Sequence, residues 1–355
     1  MTTIAARQRV EEALLPPLVA LLVALVVGDI LILLVGQSPG AVYRLMLSGT
    51  WGNWYGFGQV LYKATTLLCT GLAVALALRA GLFNIGGEGQ LAAGGFAAAV
   101  MGLVLPAGTP GILAIPLCIG AALAAGGLVG AVPGVMKARF GAHEVIVTIM
   151  LNFIVLAFLN WIVASHLHVP ETLHTPEMRA GTLPRLMDWI SPFHGSAANA
   201  SLFIAIAAAV IVGWMLFRTR GGFELRAAGL QPDAAEYGGV RVGRVWIKAF
   251  MISGALAGLG GINYTLGYKH YYEEGFSGGA GFLGIAVALV GRNHPLGVVI
   301  AAFLFATLSQ GGLAIHALVP KQMVEVLQGV VILAVAAAVP EVRRLVQGVR
   351  AGAAR

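Results

Sequence analysis

Long apolar runs dominate this sequence and limit its fold more than any other feature. Several runs reach roughly 18 residues, which as an α-helix is enough to cross a hydrocarbon core about 30 Å thick. Hydrophobic residues form 58% of the 355-residue chain and charged residues only 10%. This apolar excess is beyond that of soluble domains. The sequence therefore predicts an all-α, polytopic membrane protein.

Ten membrane-spanning helices are predicted, two of them short and interrupted by glycine. An even number puts both termini on one side of the membrane. The first run has no small-residue cleavage site at its end, so we expect a retained span and not a signal peptide. The spans cover about residues 14–35, 60–78, 91–105, 112–135, 144–163, 200–217, 245–266, 278–290, 296–313 and 323–339.

The basic residues predict the orientation. If the N and C termini are cytoplasmic, six of the 22 Lys and Arg residues face outward and the other 16 face the cytoplasm, as the positive-inside rule expects. The same clustering at span ends accounts for the net charge of +7. No basic face with interleaved aromatic residues occurs, so we expect no nucleic-acid partner. The six outward residues are Arg44, Lys63, Arg179, Arg185, Lys269 and Lys321.

Residues 221–244 form an unusually charged link between the sixth and seventh spans. Most interhelical links are shorter than these two dozen residues, so this segment needs a functional reason. The orientation above places it in the cytoplasm, where we expect it to serve as a docking platform. Its charged residues are Glu224, Arg226, Asp233, Glu236, Arg241 and Arg244.

Residues 165–199 form the longest polar stretch and are predicted to be extracytoplasmic. Half of the eight histidines lie here. A His-x-His pair can bind a metal, but without Cys or a fixed helical spacing the signal is weak. We expect a solvated loop that contacts an outer partner, with no metal. The four histidines are His166, His168, His174 and His194.

Two carboxylates lie at positions where the membrane makes charge costly. Asp29 is inside the first span, so it must face protein or a water-filled cavity; both a structural and a transport role remain open. Glu88 lies in the glycine-rich sequence GLFNIGGEGQ with Asn84 and Gln90. That segment is either a broken or re-entrant backbone that lines a cavity, or a tight cytoplasmic turn that caps the third span.

Small residues at helical spacing predict close helix packing. Gly126, Gly130 and Gly134 recur every four residues in the fourth span, as do Gly254 and Gly258 in the seventh. Such ridges let helix backbones approach closely in lipid. Cys69 and Cys118 both lie in apolar runs and are predicted to be buried thiols and not a disulfide or metal pair.

No Walker A sequence, zinc-protease helix or nucleophile elbow occurs in the chain. We therefore expect no enzyme activity, and specifically no ATPase, in this polypeptide. An ion-gradient-driven secondary transporter of a small neutral solute remains an alternative. It would need ionisable groups along a path, and the spans contain few of them. A membrane-embedded enzyme built on the outer histidines, or a structural scaffold, is the third hypothesis.

Three motifs in order carry a family resemblance: GLFNIGGEGQ at 81–90, HEVIVTIMLN at 143–152 and GLQPDAAEYGGVRV at 229–242. They resemble the permease subunits of bacterial ABC importers for simple sugars, nucleosides and branched-chain amino acids. The similar region runs from the second span to the tenth, and the second motif is most similar to the nucleoside branch. Gln231 replaces an expected Asn and Val240 an expected Ile, so the exact substrate stays open.

The resemblance implies a multi-pass permease of the bacterial inner membrane that translocates a nucleoside or related simple sugar. Its implied partners are a second permease subunit, identical or not, cytoplasmic ABC ATPase subunits, an extracytoplasmic binding protein and the lipid bilayer. No cofactor is implied. The third motif is similar to the loop that receives the ATPase through a short coupling helix. Implied coupling residues are Glu224, Arg226, Gly229, Pro232, Ala234, Ala235, Glu236, Tyr237 and Gly238; candidate pathway residues are Asn84, Glu88, Gln90, Asn152 and Asp29.

Overall fold

The computed structural model describes residues 22–23, 25–316, 318–320, 322–326, 328–330 and 333–334. All regular elements in this part of the chain are helices. The predicted spans 14–35 and 323–339 lie partly outside it. The longer helices are α1 Leu25–Leu34, α2 Pro39–Ser48, α3 Trp54–Arg79, α4 Gly87–Val104, α5 Gly111–Phe140, α6 Glu144–Ile162, α7 Ser201–Arg218, α8 Arg220–Leu230, α9 Pro232–Tyr237, α10 Val242–Tyr264, α11 Ala280–Val290 and α12 Pro295–Ala314.

Among the described residues, six helices are long and apolar enough to cross a membrane. They are α3, α5, α6 and α10 (the last two each extended by a π-helical turn), α7 and α12; the bent pair α1–α2, with an angle of 111°, would make a seventh. Helix α4 is not among them. Helix α11 has 11 residues, about 17 Å of rise and short of a full crossing. The protein is thus a multi-pass helical membrane protein, while the count of ten spans and the orientation are not confirmed.

Local signals explain where the helix ends differ from the predicted spans. Helix α5 continues to Phe140, past the predicted end at 135, despite two internal prolines. It ends at Gly141, whose left-handed backbone (φ 64°) lets its N–H bond to the carbonyl of Lys137, an arrangement that glycine adopts without steric cost. Helix α4 begins at Gly87 and not at 91, so Glu88 lies in its first turn.

Two helices form the centre of the larger compact unit, residues 54–306. The most apolar stretch of α3 is 83% buried and that of α10 67% buried, against 17% for α6 with its π turn. Helix α10 packs against α3, α4 and α5. Helix α6 therefore presents most of its surface outward, as expected for a helix in contact with lipid or a partner.

Glycine ridges hold α5 against α10. The sequence predicted close packing at each ridge, and the structure shows that the two ridges meet each other. A methyl group added at Gly126 would lie 2.3 Å from the carbonyl oxygen of Gly254, and one at Gly130 would lie 2.3 Å from that of Phe250. Real carbon atoms do not approach oxygen so closely, so only glycine permits this spacing. The backbone approach maximises van der Waals contact where no hydrophobic driving force exists.

The second compact unit contains the described residues before 54 and after 306. Its buried apolar cluster consists of Ile32, Val42, Ile315 and Val319.

The segment 165–199 is packed onto its own unit, which corrects the expectation of a solvated loop. Its backbone bonds to the end of α10 and the segment after it: Thr175 N–H to the Tyr272 carbonyl at 2.9 Å and Leu183 N–H to the Leu266 carbonyl at 2.8 Å. Leu186 and Phe193 are buried in a cluster with residues of α3 and α7. The free energy gained by burying these apolar side chains exceeds that gained by exposing the loop to water. His166, His168 and His194 remain exposed, whereas His174 is half-buried.

Candidate functional site: a coupling surface tied to a buried polar network

The link 221–244 is largely helical. Thr219 caps α8, because its hydroxyl accepts a hydrogen bond from the N–H of Gly222 at 3.1 Å. Pro232 begins α9, a position where a missing N–H costs nothing. Of the residues in α9, Ala235 is buried, whereas Glu236 is exposed and Tyr237 is 98% exposed. This short helix thus leaves a large aromatic ring almost entirely exposed.

Helix α8 touches the end of α3 at Gly229. A methyl group added there would lie 2.2 Å from the carbonyl oxygen of Arg79 and 2.7 Å from the nitrogen of Gly81. The contact is backbone against backbone, so it cannot relax by rotating a side chain. Gly81 itself has φ of +72°, which favours glycine. Any displacement of α8 therefore reaches residues 79–81 directly.

A second contact between the same helices centres on the ring of Phe217. The guanidinium groups of Arg226 on α8 and Arg79 on α3 lie 5.4 and 5.8 Å from its centroid, within cation–π range. His294 stacks on the same ring, and burial together with the nearby Arg79 lowers the pKa of His294. Arg79 also donates to the carbonyl of Asn293 at 2.8 Å. These contacts join α3, α7, α8 and the turn before α12.

Residues 84–90 lie directly after this junction and form a buried polar network. Asn84 donates to Oε1 of Gln90 and to Oγ of Ser253, both at 2.8 Å. Ser253 in turn donates to the carbonyl of Ala73 at 2.6 Å. Asn84 and Gln90 are completely buried. An amide that lost its partner at such a depth would be costly, so the network holds α3, α4 and α10 in one arrangement.

The network brings together two motifs that are far apart in sequence. Asn152 on α6 accepts from the N–H of Gly89 and donates to the carbonyl of Ile85, both at 2.9 Å. Thr148, one turn earlier, accepts from the N–H of Ile85 at 3.3 Å. These side chains satisfy the irregular backbone between α3 and α4, which the bilayer would otherwise leave unpaired.

Glu88 ties the beginning of α4 to the beginning of α11. Its carboxylate accepts hydrogen bonds from the hydroxyl of Ser277, from the N–H of Gly279 at 3.1 Å and from that of Gly281 at 2.8 Å. Amides at a helix N-terminus have no partner within the helix, and the helix dipole favours an anion there. The carboxylate of Glu88 accepts hydrogen bonds from these amides and places a negative charge at the N-terminus of α11. Glu88 is itself only 5% exposed.

The structure thus brings together four of the five predicted pathway residues: Asn84, Glu88, Gln90 and Asn152. Their polar atoms are engaged inside the fold, so a role in lining the path stays a prediction. Asp29 belongs to the other compact unit. It lies beside the hydroxyl of Tyr43, and within the described residues its buried Oδ1 accepts no hydrogen bond.

Several members of this site were missed in the sequence. Thr148 lies within the second motif and could have been included. Ser253 and Arg79 carry no local signal, because one small hydroxyl in a glycine-rich helix and one basic residue at a helix end are common. A separate buried network was also missed: Asn263 bonds to the hydroxyls of Ser201 and Thr66, both at 2.9 Å. Within the described ranges, no three His, Cys, Asp or Glu side chains come together to hold a metal.

The helices and their apolar spans define a multi-pass helical membrane protein, and comparison with known proteins identifies its family. The family model described as branched-chain amino acid transport system / permease component matches residues 56–336. The chain therefore belongs to this permease family.

Its relatives are permease subunits of ABC transporters. It is 39% identical to the guanosine ABC transporter permease protein NupP of Bacillus subtilis, over 91% of this chain and 93% of that one. It is 35% identical to the nucleoside ABC transporter permease protein NupB of Lactococcus lactis, over 91% and 90%. It is 31% identical to the glucose ABC transporter permease protein TsgB13 of Haloferax volcanii, over 89% and 85%. No solved structure matches the chain.

Proposed function

We propose that this permease imports a nucleoside, or a related simple sugar, using ATP hydrolysed by a partner subunit. The names of its nucleoside and glucose permease relatives support this substrate class. Few fixed charges lie in the described spans, which suits a neutral, hydroxyl-rich solute. In this proposal the chain itself makes and breaks no bonds. An extracytoplasmic binding protein delivers the solute, and a second permease subunit completes the path.

The observation that carries the mechanism is the backbone contact of Gly229 with residues 79–81. Helices α8 and α9 receive the ATPase, with Glu236 and Tyr237 on the docking face and Ala234, Pro232 and Gly238 shaping the turn around it. When the ATPases close, α8 pushes on the end of α3. Because α8 meets backbone there, the motion passes on as a rigid-body shift.

The network at 84–90 is the next element in this proposal. Asn84, Gln90 and Asn152 connect the moving end of α3 to α4, α6 and α10, while Glu88 connects α4 to α11. A shift of α3 therefore moves the helices that would border the path. The buried amides lie beside the path in this view and become exposed to it only when the helices part. Asp29 also faces the path in this proposal, because its Oδ1 accepts no hydrogen bond from the described residues.

The proposed orientation has both termini and α8–α9 in the cytoplasm and 165–199 outside, in a bacterial inner membrane. The excess of basic residues near α8, α9 and the ends of α5 and α7 supports it. A packed outer segment suits reception of a binding protein, since a preformed surface costs less ordering entropy on binding.

Uptake by the reconstituted complex tests this function. The permease, its second subunit and its ATPase would be placed in liposomes with the binding protein outside and ATP inside. We expect guanosine or another neutral nucleoside to accumulate with ATP and not with an ATPase variant unable to hydrolyse it. Uptake driven by a proton or sodium gradient without ATP, or efficient uptake of a strongly charged solute, would refute the proposal.

A further inference from the structure

A cavity of about 440 Å³ lies where α7 ends and α10 begins. Its rim carries four cationic side chains, Arg220, Arg241, Arg244 and Lys248, and one carboxylate, Glu224. Glu224 is already paired with Arg220 at 2.8 Å. Within the described chain, the other three cations make no ion pair. The cavity therefore has an uncompensated positive rim.

This arrangement is unfavourable for α10 by itself. Arg241 is its N-cap, and Arg244 and Lys248 follow at the third and seventh positions, so all three lie along one face of its first two turns. Like charges at this spacing repel, and the positive end of the helix dipole disfavours cations near the N-terminus. An anion in the cavity would remove both penalties.

The rest of the lining is apolar and leads toward the membrane-spanning part of α10. Met215, Leu225 and Val245 line the cavity, and it extends to Ile252, about 17 Å along the helix from Arg241 at 1.5 Å per residue. A free phosphate would not use this surface. A docked soluble protein would have to enter the span to reach it.

We infer that this cavity binds the headgroup of an anionic phospholipid. The phosphate lies among Arg241, Arg244 and Lys248, and the beginning of an acyl chain lies on Val245 and Ile252. Basic pockets between membrane helices recognise anionic headgroups in this manner. The site is next to α8, so a bound lipid would brace α8 against the membrane. The inference does not depend on the transported solute or on the orientation of the chain.

Lipid retention by the purified full-length permease tests it. The protein would be equilibrated with equal amounts of phosphatidylglycerol and phosphatidylcholine, and bound lipid measured by native mass spectrometry. We expect wild type to retain phosphatidylglycerol preferentially. The double variant Arg244→Gln with Lys248→Gln should lower the ratio of the two lipids about 25-fold, at about fivefold for each cation near a membrane surface.

The matched control is Arg139→Gln with Arg218→Gln, which removes two exposed cations outside the cavity. It should leave the ratio within about twofold of wild type, since these charges lie outside the cavity. An equal fall in the control, or no fall in the double variant, would overturn the inference. If the double variant does not fold, Ile252→Phe decides: it keeps every charge and should still reduce phosphatidylglycerol retention.

Two further results would point to another ligand. Displacement of phosphatidylglycerol by inorganic phosphate at equal concentration would mean a site for small anions. Unchanged lipid retention with loss of ATPase binding in the double variant would mean a protein-docking surface. Either outcome would overturn the lipid assignment.

Discussion

At the scale of single residues, the site depends on atoms that have no room to move or no other partner. Gly229 meets the backbone of residues 79–81, and the carboxylate of Glu88 serves three donors. Both positions look ordinary in isolation, one a glycine in a polar helix and the other an acid in a helix's first turn. Their importance comes from the residues that they contact, and a substitution that changes a few atoms tests each contact.

Replacing Gly229 by alanine should uncouple the permease from its ATPase. The added methyl group would collide with the carbonyl of Arg79, and overpacking of this kind typically costs about 1–3 kcal/mol. We expect α8 to shift and substrate-stimulated ATPase activity of the complex to fall sharply, while membrane insertion is unchanged. Gly243→Ala is the control, because its methyl group would meet Ala138 at an ordinary 3.5 Å. Equal activity in the two variants would rule out this contact as the route of coupling.

Replacing Glu88 by glutamine should destabilise the fold. The amide NH₂ would face backbone N–H groups that now donate to a carboxylate. Leaving a buried donor unpaired costs about 1–3 kcal/mol, so the thermal unfolding midpoint of the detergent-purified protein should fall by several degrees. Glu177→Gln, on the exposed surface of 165–199, should leave it unchanged. A midpoint equal to that of wild type would show that Glu88 does not anchor α11.

At the scale of elements, α8 and α9 differ in how they contact the rest of the protein. Helix α8 is held to the protein by Gly229 and by the cation–π contact of Arg226 with Phe217. Helix α9 presents exposed residues, with Ala235 as its buried anchor. The two helices meet at Gln231, which ends α8 and caps α9. In the proposed mechanism both helices contact the ATPase, and α8 passes the motion to the end of α3.

Removing the ring of Tyr237 should weaken binding of the ATPase. A fully exposed tyrosine on a docking helix is typical of an interface hot spot, where truncation costs at least about 2 kcal/mol, or roughly 30-fold in affinity. We expect this loss for Tyr237→Ala in a co-purification or binding assay, and a further loss for Glu236→Arg. The control is Phe153→Ala, an exposed aromatic on α6. Wild-type affinity in both docking variants would contradict the assignment of α9.

At the scale of the whole molecule, the described helices and the predicted spans differ in number. Six or seven helices qualify by length and composition, against ten predicted spans. The shortfall comes from α4, from α11 and from termini outside the described residues. Helices such as α4 and α11 can be shorter than a full crossing because neighbouring protein groups form hydrogen bonds with the backbone at their ends. Glu88 does this for α11.

Side-specific labelling tests the orientation. A cysteine at Asp233 should react with a membrane-impermeant maleimide only from the cytoplasmic side, and one at His194 only from outside. Both positions are exposed, whereas Cys69 and Cys118 are buried and should not react. Labelling of Asp233→Cys from outside would invert the topology. Labelling of both positions from one side would mean that the chain crosses the membrane an even number of times between them, whereas one crossing is predicted.

The sequence predicted some of these structural features and not others. Close packing at the ridges of α5 and α10 followed from glycines spaced four apart, since that spacing is a property of one helix, but their pairing with each other did not. The packing of 165–199 did not follow, because its buried residues, such as Leu186 and Phe193, are scattered among prolines and polar residues. The short α11 was predicted at nearly its observed bounds, yet its dependence on Glu88 joins positions 189 residues apart.

The sequence by itself determined that the chain is a multi-pass helical membrane protein and, through its three motifs, that it resembles ABC permeases. Both depend on local composition and order, which need no knowledge of neighbours. Only the tertiary structure decided that Asn84, Gln90 and Asn152 share one network and that Gly229 abuts residues 79–81. These are contacts between helices, and hydrophobicity along one helix does not specify which polar atom meets which. Their partners were set by helix packing, because a buried polar group that finds no donor or acceptor inside the membrane is costly.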